Sequence, residues 1–326
     1  MKGKIYFDKI HNRRIELDIT QKEVAEKVGV SISVIKALET GRSDSTVETL
    51  EKIAELLGLK LDEVYNPEYR DTKVISVVNN KGGVGKTSVC GSIAYALSEM
   101  DYKILCIDAD MQMNLTHSLG LSKNPMHLGL AIEKEDDLIN YIHKTSYPNI
   151  DFIVSDLAMS TTEMLLFTKV ERESILKHML KNIINQGIYD FIIFDTNPVL
   201  GILNYNVLNV SEYVIIPIEL SIFAIDGLDT LVKYINSIKK TNEKLDIAGI
   251  VINKYDLREK KITETCEDIV KEIFGDKIFK TRIGVDTKIK QAQLESIPVM
   301  CADTTSRISK QYRDLAKEVV KVVSKR

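Results

Sequence analysis

Residues 74–88, Val-Ile-Ser-Val-Val-Asn-Asn-Lys-Gly-Gly-Val-Gly-Lys-Thr-Ser, constrain the fold of this chain more than any other stretch. A β-rich apolar run, Val74 to Val78, breaks into glycines and resumes as a helical pattern from Ser88 to Met100. Strand, glycine loop and helix in that order make a phosphate cradle. Gly82, Gly83 and Gly85 carry no Cβ, so backbone N–H groups on either side of Val84 can close around phosphate oxygens. The helix that follows turns the positive end of its dipole to the same point. In the pattern G-x-x-x-x-G-K-[ST], the lysine (Lys86) reaches the β- and γ-phosphates. The hydroxyl (Thr87) ligates Mg²⁺, with Ser88 following it. A plain glycine turn requires neither the second lysine, Lys81, nor the hydroxyl.

The 326 residues suffice for two domains, one small and one large. No apolar run reaches the ~18–20 residues of a membrane span, and the first residues lack the apolar core of a secretory signal. Cys90, Cys106, Cys266 and Cys301 lie far apart with no CxxC, which argues against a disulfide framework or a zinc site and for a cytoplasmic protein. A net charge of −3 gives no bulk attraction to nucleic acid, so any DNA binding must come from local patches.

Residues 1–66 read as a small all-α domain. Helical patterns cover Lys9 to Leu17, Gln21 to Val28, Ile32 to Glu39 and a fourth segment opening at Thr46. Thr20 with Glu23 forms a capping box, Ser31 is a further N-cap, and Gly29, Gly41 and Gly58 mark the stops. Two short helices flanking Gly29-Val30-Ser31 are a helix-turn-helix signal. The segments 19–31, 38–42 and 59–65 resemble the Cro/cI type of DNA-binding domain. That resemblance makes Gln21, Ser33, Lys36, Thr40 and Arg42 the candidate DNA contacts. Residues 1–70 carry twelve Lys/Arg against thirteen Asp/Glu, a poor balance for phosphate attraction. A repurposed helical module that binds a protein therefore stays open.

Residues 67–73 read as a linker. From 74 to 326, strand-like runs at 74–79, 103–109, 150–155, 190–195, 213–218, 247–253 and 278–283 alternate with helical patterns. Such alternation implies an α/β fold, a mostly parallel sheet covered by helices on both faces, with ligands beyond the strands' carboxyl ends. Residues 103–114 form a buried strand ending in Asp108 and Asp110, and residues 191–194 place four apolar residues before Asp195. A carboxylate at such a strand end holds Mg²⁺ through water.

Residues 81–87, Lys-Gly-Gly-Val-Gly-Lys-Thr, resemble the deviant Walker A motif of the ParA/MinD family of dimerising ATPases, and the resemblance covers about residues 73–322. It implies ATP and Mg²⁺ as cofactors and a homodimer formed on ATP binding, with Lys81 crossing to the facing subunit's nucleotide and Lys86 serving its own. Asp110 would orient the attacking water, Asp195 and Thr87 would hold the metal, and Asp108 would be a metal-shell ligand or a structural acceptor. Asn253, in Asn-Lys-Tyr-Asp, would lie near the base. The same four residues match a guanine-reading motif, so GTP remains open beside ATP. Lys288 and Lys290, with Lys233, Lys239, Lys240, Lys260 and Lys261, are candidates for non-specific DNA contact. The segment 307–325 is amphipathic but lacks bulky aromatic anchors beyond Tyr312, so it is expected to pack on its own domain rather than a membrane.

The function implied is partition: an ATP-driven dimer coats DNA and is released when a ParB-like centromere-binding protein stimulates hydrolysis. A nucleotide-gated transcriptional regulator that moves no cargo, and a metabolic ATPase of the same fold, are the alternatives.

Overall fold

The computed structural model describes residues 3–324 apart from Ser43, Leu257 and Glu259; for residues 222–226 and 260–263 it describes the backbone alone. The chain divides into two compact units. One is Met1–Asp71 with Gln186–Ile188, and the other is Thr72–Asn185 with Tyr189–Arg326.

The first unit contains helices Phe7–Glu16, Gln21–Val28, Ile32–Glu39, Val47–Leu57 and Leu61–Val64. The capping box forms: Thr20 Oγ1 accepts the Glu23 amide, and the Glu23 carboxylate takes the Thr20 amide at 2.7 Å. Thr46 caps the fourth helix in the same way through the Thr49 amide. Ser31 does not cap with its side chain, because its hydroxyl pairs with Ser33 Oγ at 2.7 Å. The all-α expectation needs one correction. β1 (Lys4–Ile5) pairs antiparallel with β2 (Tyr65–Asn66), closing the unit's two ends. Period-3.6 faces supply the core, with Ile10, Val24, Ile35, Leu38, Leu50, Ile53 and Leu57 all buried.

One buried ion pair threads this core. Arg14 Nε donates to Glu39 Oε1 at 2.6 Å and Nη2 to Oε2 at 2.9 Å; Gln21 Nε2 donates to Oε2 at 2.8 Å, and His11 Nδ1 lies 2.9 Å from it. Burial pushes the Glu39 carboxyl up, but the bonds from Arg14, His11 and Gln21 outweigh it and hold the group at about 2. A folded value below the unfolded one stabilises above the ordinary carboxylate range, and that stability is lost as pH falls toward 2. Glu39→Ala leaves the Arg14 guanidinium buried and unpaired, a loss of about 3–5 kcal/mol. Hydrogen exchange on the full chain at pH 7 tests this: the amides of Phe7–Glu16 and Ile32–Glu39 should exchange faster in the variant. Unchanged protection would show that the pair contributes nothing.

The second unit is built on a seven-stranded sheet: β3 (Lys73–Val77), β4 (Ile104–Ala109), β5 (His143–Lys144), β6 (Ile150–Ile153), β7 (Phe191–Thr196), β8 (Tyr213–Glu219) and β9 (Asp246–Asn253). Their order is β5-β6-β4-β7-β3-β8-β9, parallel throughout except for β5 against β6. Alternate residues bury on opposite faces, so these strands read as continuous apolar runs. Tyr213 and Ile215 join the core under helices Lys86–Ser98 and Arg307–Val323. Val214, Ile216 and Ile218 join the core under Ile222–Ile238 and Lys260–Phe274. The C-terminal helix buries Ile308, Tyr312, Leu315, Ala316, Val319 and Val323, so its apolar face belongs to the domain core. Among the described residues no helix is long and apolar enough to cross a membrane.

Residues 278–283 do not form a strand. Phe279 and Ile283 donate to Ile250 and Ile252 of β9, but the Lys280 and Thr281 amides between them go to the Glu318 carboxylate, both at 2.8 Å. A side chain thus takes the place of a ladder, leaving two isolated bridges.

Candidate nucleotide site

Parallel strands bring four of the expected segments to one end of the sheet. The loop after β3 enters helix Lys86–Ser98 through Gly85, whose φ of +91° an L side chain rarely adopts. A Cβ there would also strike the Asn253 amide. Asn253 Nδ2 donates instead to Val84 O at 2.7 Å, so this residue braces the loop from below while lining the same cavity. Asn79, which sequence reasoning passed over, sets the loop's other end. Its Oδ1 takes the Lys81 amide and its Nδ2 donates to Pro217 O, both at 2.8 Å. Its position between strand and glycines was the one available signal.

The cavity at the loop measures about 830 Å³ and is lined by Gly82, Gly83, Gly85, Lys86, Thr87, Ser88 and Asp110 together with residues of the 284–299 segment. Lys86 is buried, with Nζ 3.5 Å from Lys81 O. Burial lowers its pKa, while Asp195 and Asp110 pull it back up. Lys81 does not line this cavity; its Nζ donates to Ser221 Oγ at 3.3 Å.

Asp108 and Asp195 are register partners across β4 and β7. Both are fully buried, and like charges placed so close cannot both ionise cheaply. Burial and then its neighbours push Asp195 well above the ordinary carboxylate value, and burial takes Asp108 to about 6. Their surroundings differ. Asp108 spends both oxygens on its own loop, taking the Asp110 amide at 3.0 Å, the Thr116 amide at 2.9 Å and Thr116 Oγ1 at 2.8 Å. These bonds make Asp108 a structural acceptor for its own loop. Among the described residues neither buried Asp195 oxygen has a hydrogen-bond partner, although the Thr87 hydroxyl lies near enough to pull its pKa down. An orphaned carboxylate beside a hydroxyl and a phosphate cradle suits a divalent cation whose other ligands are phosphate and water. The residues present fit Mg²⁺ and a nucleotide.

Asp256 is bound to Arg258 Nη2 at 2.6 Å and does not line the cavity, so the carboxylate of the guanine-type motif is engaged elsewhere. Asp110 lines the cavity, with Oδ1 taking the Gln112 amide at 3.0 Å.

The remaining candidates separate. Lys288 pairs with Asp303, Lys233 with Asp229 at 2.6 Å and Lys239 with Asp246 at 3.2 Å, which compensates their charge, whereas Lys290 is exposed. The side chains of Lys260 and Lys261 lie outside the described residues. In the first unit, Lys36 and Arg42 are exposed. Thr40 Oγ1 bonds back to Lys36 O at 2.9 Å, and the Gln21 and Ser33 side chains are held within the domain.

A phosphate loop, two strand-end carboxylates and a parallel sheet define a P-loop nucleotide-binding protein. A family model described as an AAA domain matches residues 72–247, and one described as a helix-turn-helix matches residues 10–64. The sporulation initiation inhibitor protein Soj of Bacillus subtilis is 32% identical over 250 residues, covering 76% of this chain and 98% of that protein. The chromosome partitioning protein ParA of Caulobacter vibrioides is 30% identical over 251 residues, covering 76% and 94%. The septum site-determining protein MinD of Pyrococcus horikoshii, solved with Mg-ADP, superposes with a TM-score of 0.63 at 25% identity, covering 77% of this chain and 97% of that one. The chain belongs to the ParA/MinD-like family of P-loop NTPases, with a helix-turn-helix domain ahead of the nucleotide domain.

Proposed function

We propose that this protein is a partition ATPase of the cytoplasm and nucleoid, dimerising on ATP, binding DNA non-specifically in that state and released when a ParB-like partner stimulates hydrolysis. The observation that carries the reading is the division of labour between two lysines of one loop. Lys86 is buried in the phosphate cavity, whereas Lys81 does not line it and, among the described residues, its ammonium bonds a serine hydroxyl. A cation in a phosphate loop that does not face its own cavity is available to a nucleotide held by a second copy of this chain.

Within one protomer, the backbone N–H groups of residues 82–88 and Lys86 bind the triphosphate, while Thr87 and Asp195 hold the cation. When bound, Mg²⁺ neutralises charge on the phosphates. Asp110 orients water at the mouth of the site, and Asp108 anchors the loop that carries Asp110. Asn253 bears on the loop and the nucleoside end, with adenine the preferred base because Asp256 is committed to Arg258.

A second reading draws support from the exposed Lys36 and Arg42 and from the pairing of Lys288 with Asp303: a regulator whose helix-turn-helix reads an operator while nucleotide gates its dimer. Mobility shifts separate the two readings. Partition predicts that random DNA is retarded with ATP and Mg²⁺ and at least about tenfold less without nucleotide, with affinity falling steeply with salt. Retardation confined to the protein's own promoter and indifferent to ATP would replace partition with regulation.

A further inference from the structure

Part of the nucleotide cavity's lining is tied to the C-terminal helix. Gly284, Val285, Asp286 and Ile289 make up this stretch of wall. A triphosphate anchored at Lys86 leaves its nucleoside the space this wall bounds. Three of the four are tied to the exposed side of helix Arg307–Val323. The Gly284 amide donates to Gln311 Oε1 at 3.1 Å, and Arg307 Nη2 donates to Val285 O at 2.9 Å and to Asp286 Oδ2 at 3.3 Å. Asp286 uses its other oxygen to cap helix Thr287–Leu294 through the Lys288 amide at 3.1 Å. The opposite face of the C-terminal helix is locked in the main core by Ile308, Tyr312 and Leu315. A rigid element thus presents a planar fork and an amide to a loop with no sheet ladder of its own.

Glycine at residue 284 suits this arrangement. A proline there would have no N–H for Gln311, and a Cβ there would occupy the place of the Arg307 guanidinium. Glycine at 284 and arginine at 307 therefore form one device.

We infer that Arg307 and Gln311 are positioning residues for the nucleoside wall: they act through residues 284–286 to set affinity for the nucleoside part of the nucleotide while leaving triphosphate binding to the loop at 82–88. The inference rests on the nucleotide-site reading above. Loss of one hydrogen bond to a wall of this kind, neutral from Gln311 or charge-assisted from Arg307, lowers affinity about 5- to 20-fold.

The test is calorimetric titration of the full chain with Mg-ATP and, separately, with magnesium and inorganic tripolyphosphate. Arg307→Ala and Gln311→Ala should each weaken ATP binding by that factor and change tripolyphosphate binding less than about twofold. Gly284→Ala should weaken ATP binding by displacing the guanidinium. Combined with Arg307→Ala it should add little, because the two changes remove one interaction. Equal ATP affinity in parent and Arg307→Ala would overturn the inference. So would a parallel loss for ATP and tripolyphosphate, which would mark a global structural effect, and so would full additivity of the Gly284 and Arg307 changes. A parent chain that binds neither ligand overturns the nucleotide-site reading itself, and this inference with it.

Discussion

A Lys86→Ala protein is expected to lose about 30- to 5,000-fold in affinity for Mg-ATP, the equivalent of about 2–5 kcal/mol for truncating one partner of a buried charge contact. Among the described residues that line the cavity, Lys86 is the one buried basic side chain, and Asp195 and Asp110 act on its charge. Without it, an incoming triphosphate meets Asp110 with Asp108 and Asp195 buried behind it, and no buried cation among the described residues offsets them. Removing the lysine also leaves the acidic pair across β4 and β7 less compensated, so Lys86→Ala is expected to melt no higher than the parent. Calorimetric titration with Mg-ATP checks the first point, and affinity within about threefold of the parent would sink the assignment of this loop as the phosphate site.

Lys81→Ala should behave differently, because Lys81 belongs to the loop but not to the cavity. Its backbone amide still bonds Asn79 Oδ1 in the variant, so the loop keeps its shape. Affinity of one protomer for ATP should stay within about threefold. What should disappear is the ATP-dependent dimer and the hydrolysis that depends on it. A cation supplied in trans to a phosphoryl-transfer site is worth about 10³- to 10⁵-fold in rate, so the loss should be at least 10³-fold. Light scattering with a non-hydrolysable ATP analogue, and phosphate release with ATP, read the two effects separately. A Lys81→Ala protein that still dimerises and hydrolyses like the parent would falsify the proposal that the lysine serves a second copy.

The fold was legible where signals are local. The capping box at Thr20 and Glu23 and the apolar runs before Asp108 and Asp195 are written in neighbouring residues, and the elements formed where those residues stand. Residues 278–283 misled because their apolar alternation describes a strand, whereas their amides are taken by Glu318, almost forty positions away. β1 and β2 gave no pattern because two residues cannot show a period. In the site, the glycines, Lys86, Thr87, Asp110 and Asp195 were singled out from the loop motif, the strand ends and the family resemblance; all but Asp195 line one cavity, and Asp195 lies buried beside Asp108. Asn79, Thr116, Arg307 and Gln311 were not, since each acts through a contact with a loop that says nothing about it in sequence.

By itself, then, the sequence determined the chemistry on offer: a phosphate-binding loop carrying two lysines, carboxylates at strand ends, and a helical module in front. Only the tertiary structure decided how those groups divide the work. Asp108 is an internal brace and Asp195 a buried carboxylate without a hydrogen-bond partner among the described residues, Lys288 is paired with Asp303, and Lys81 does not line the cavity that Lys86 lines. Spacing along a chain states which atoms are nearby in sequence. Desolvation and Coulomb energy depend on which atoms are nearby in space, and those partners come from segments tens or hundreds of residues apart.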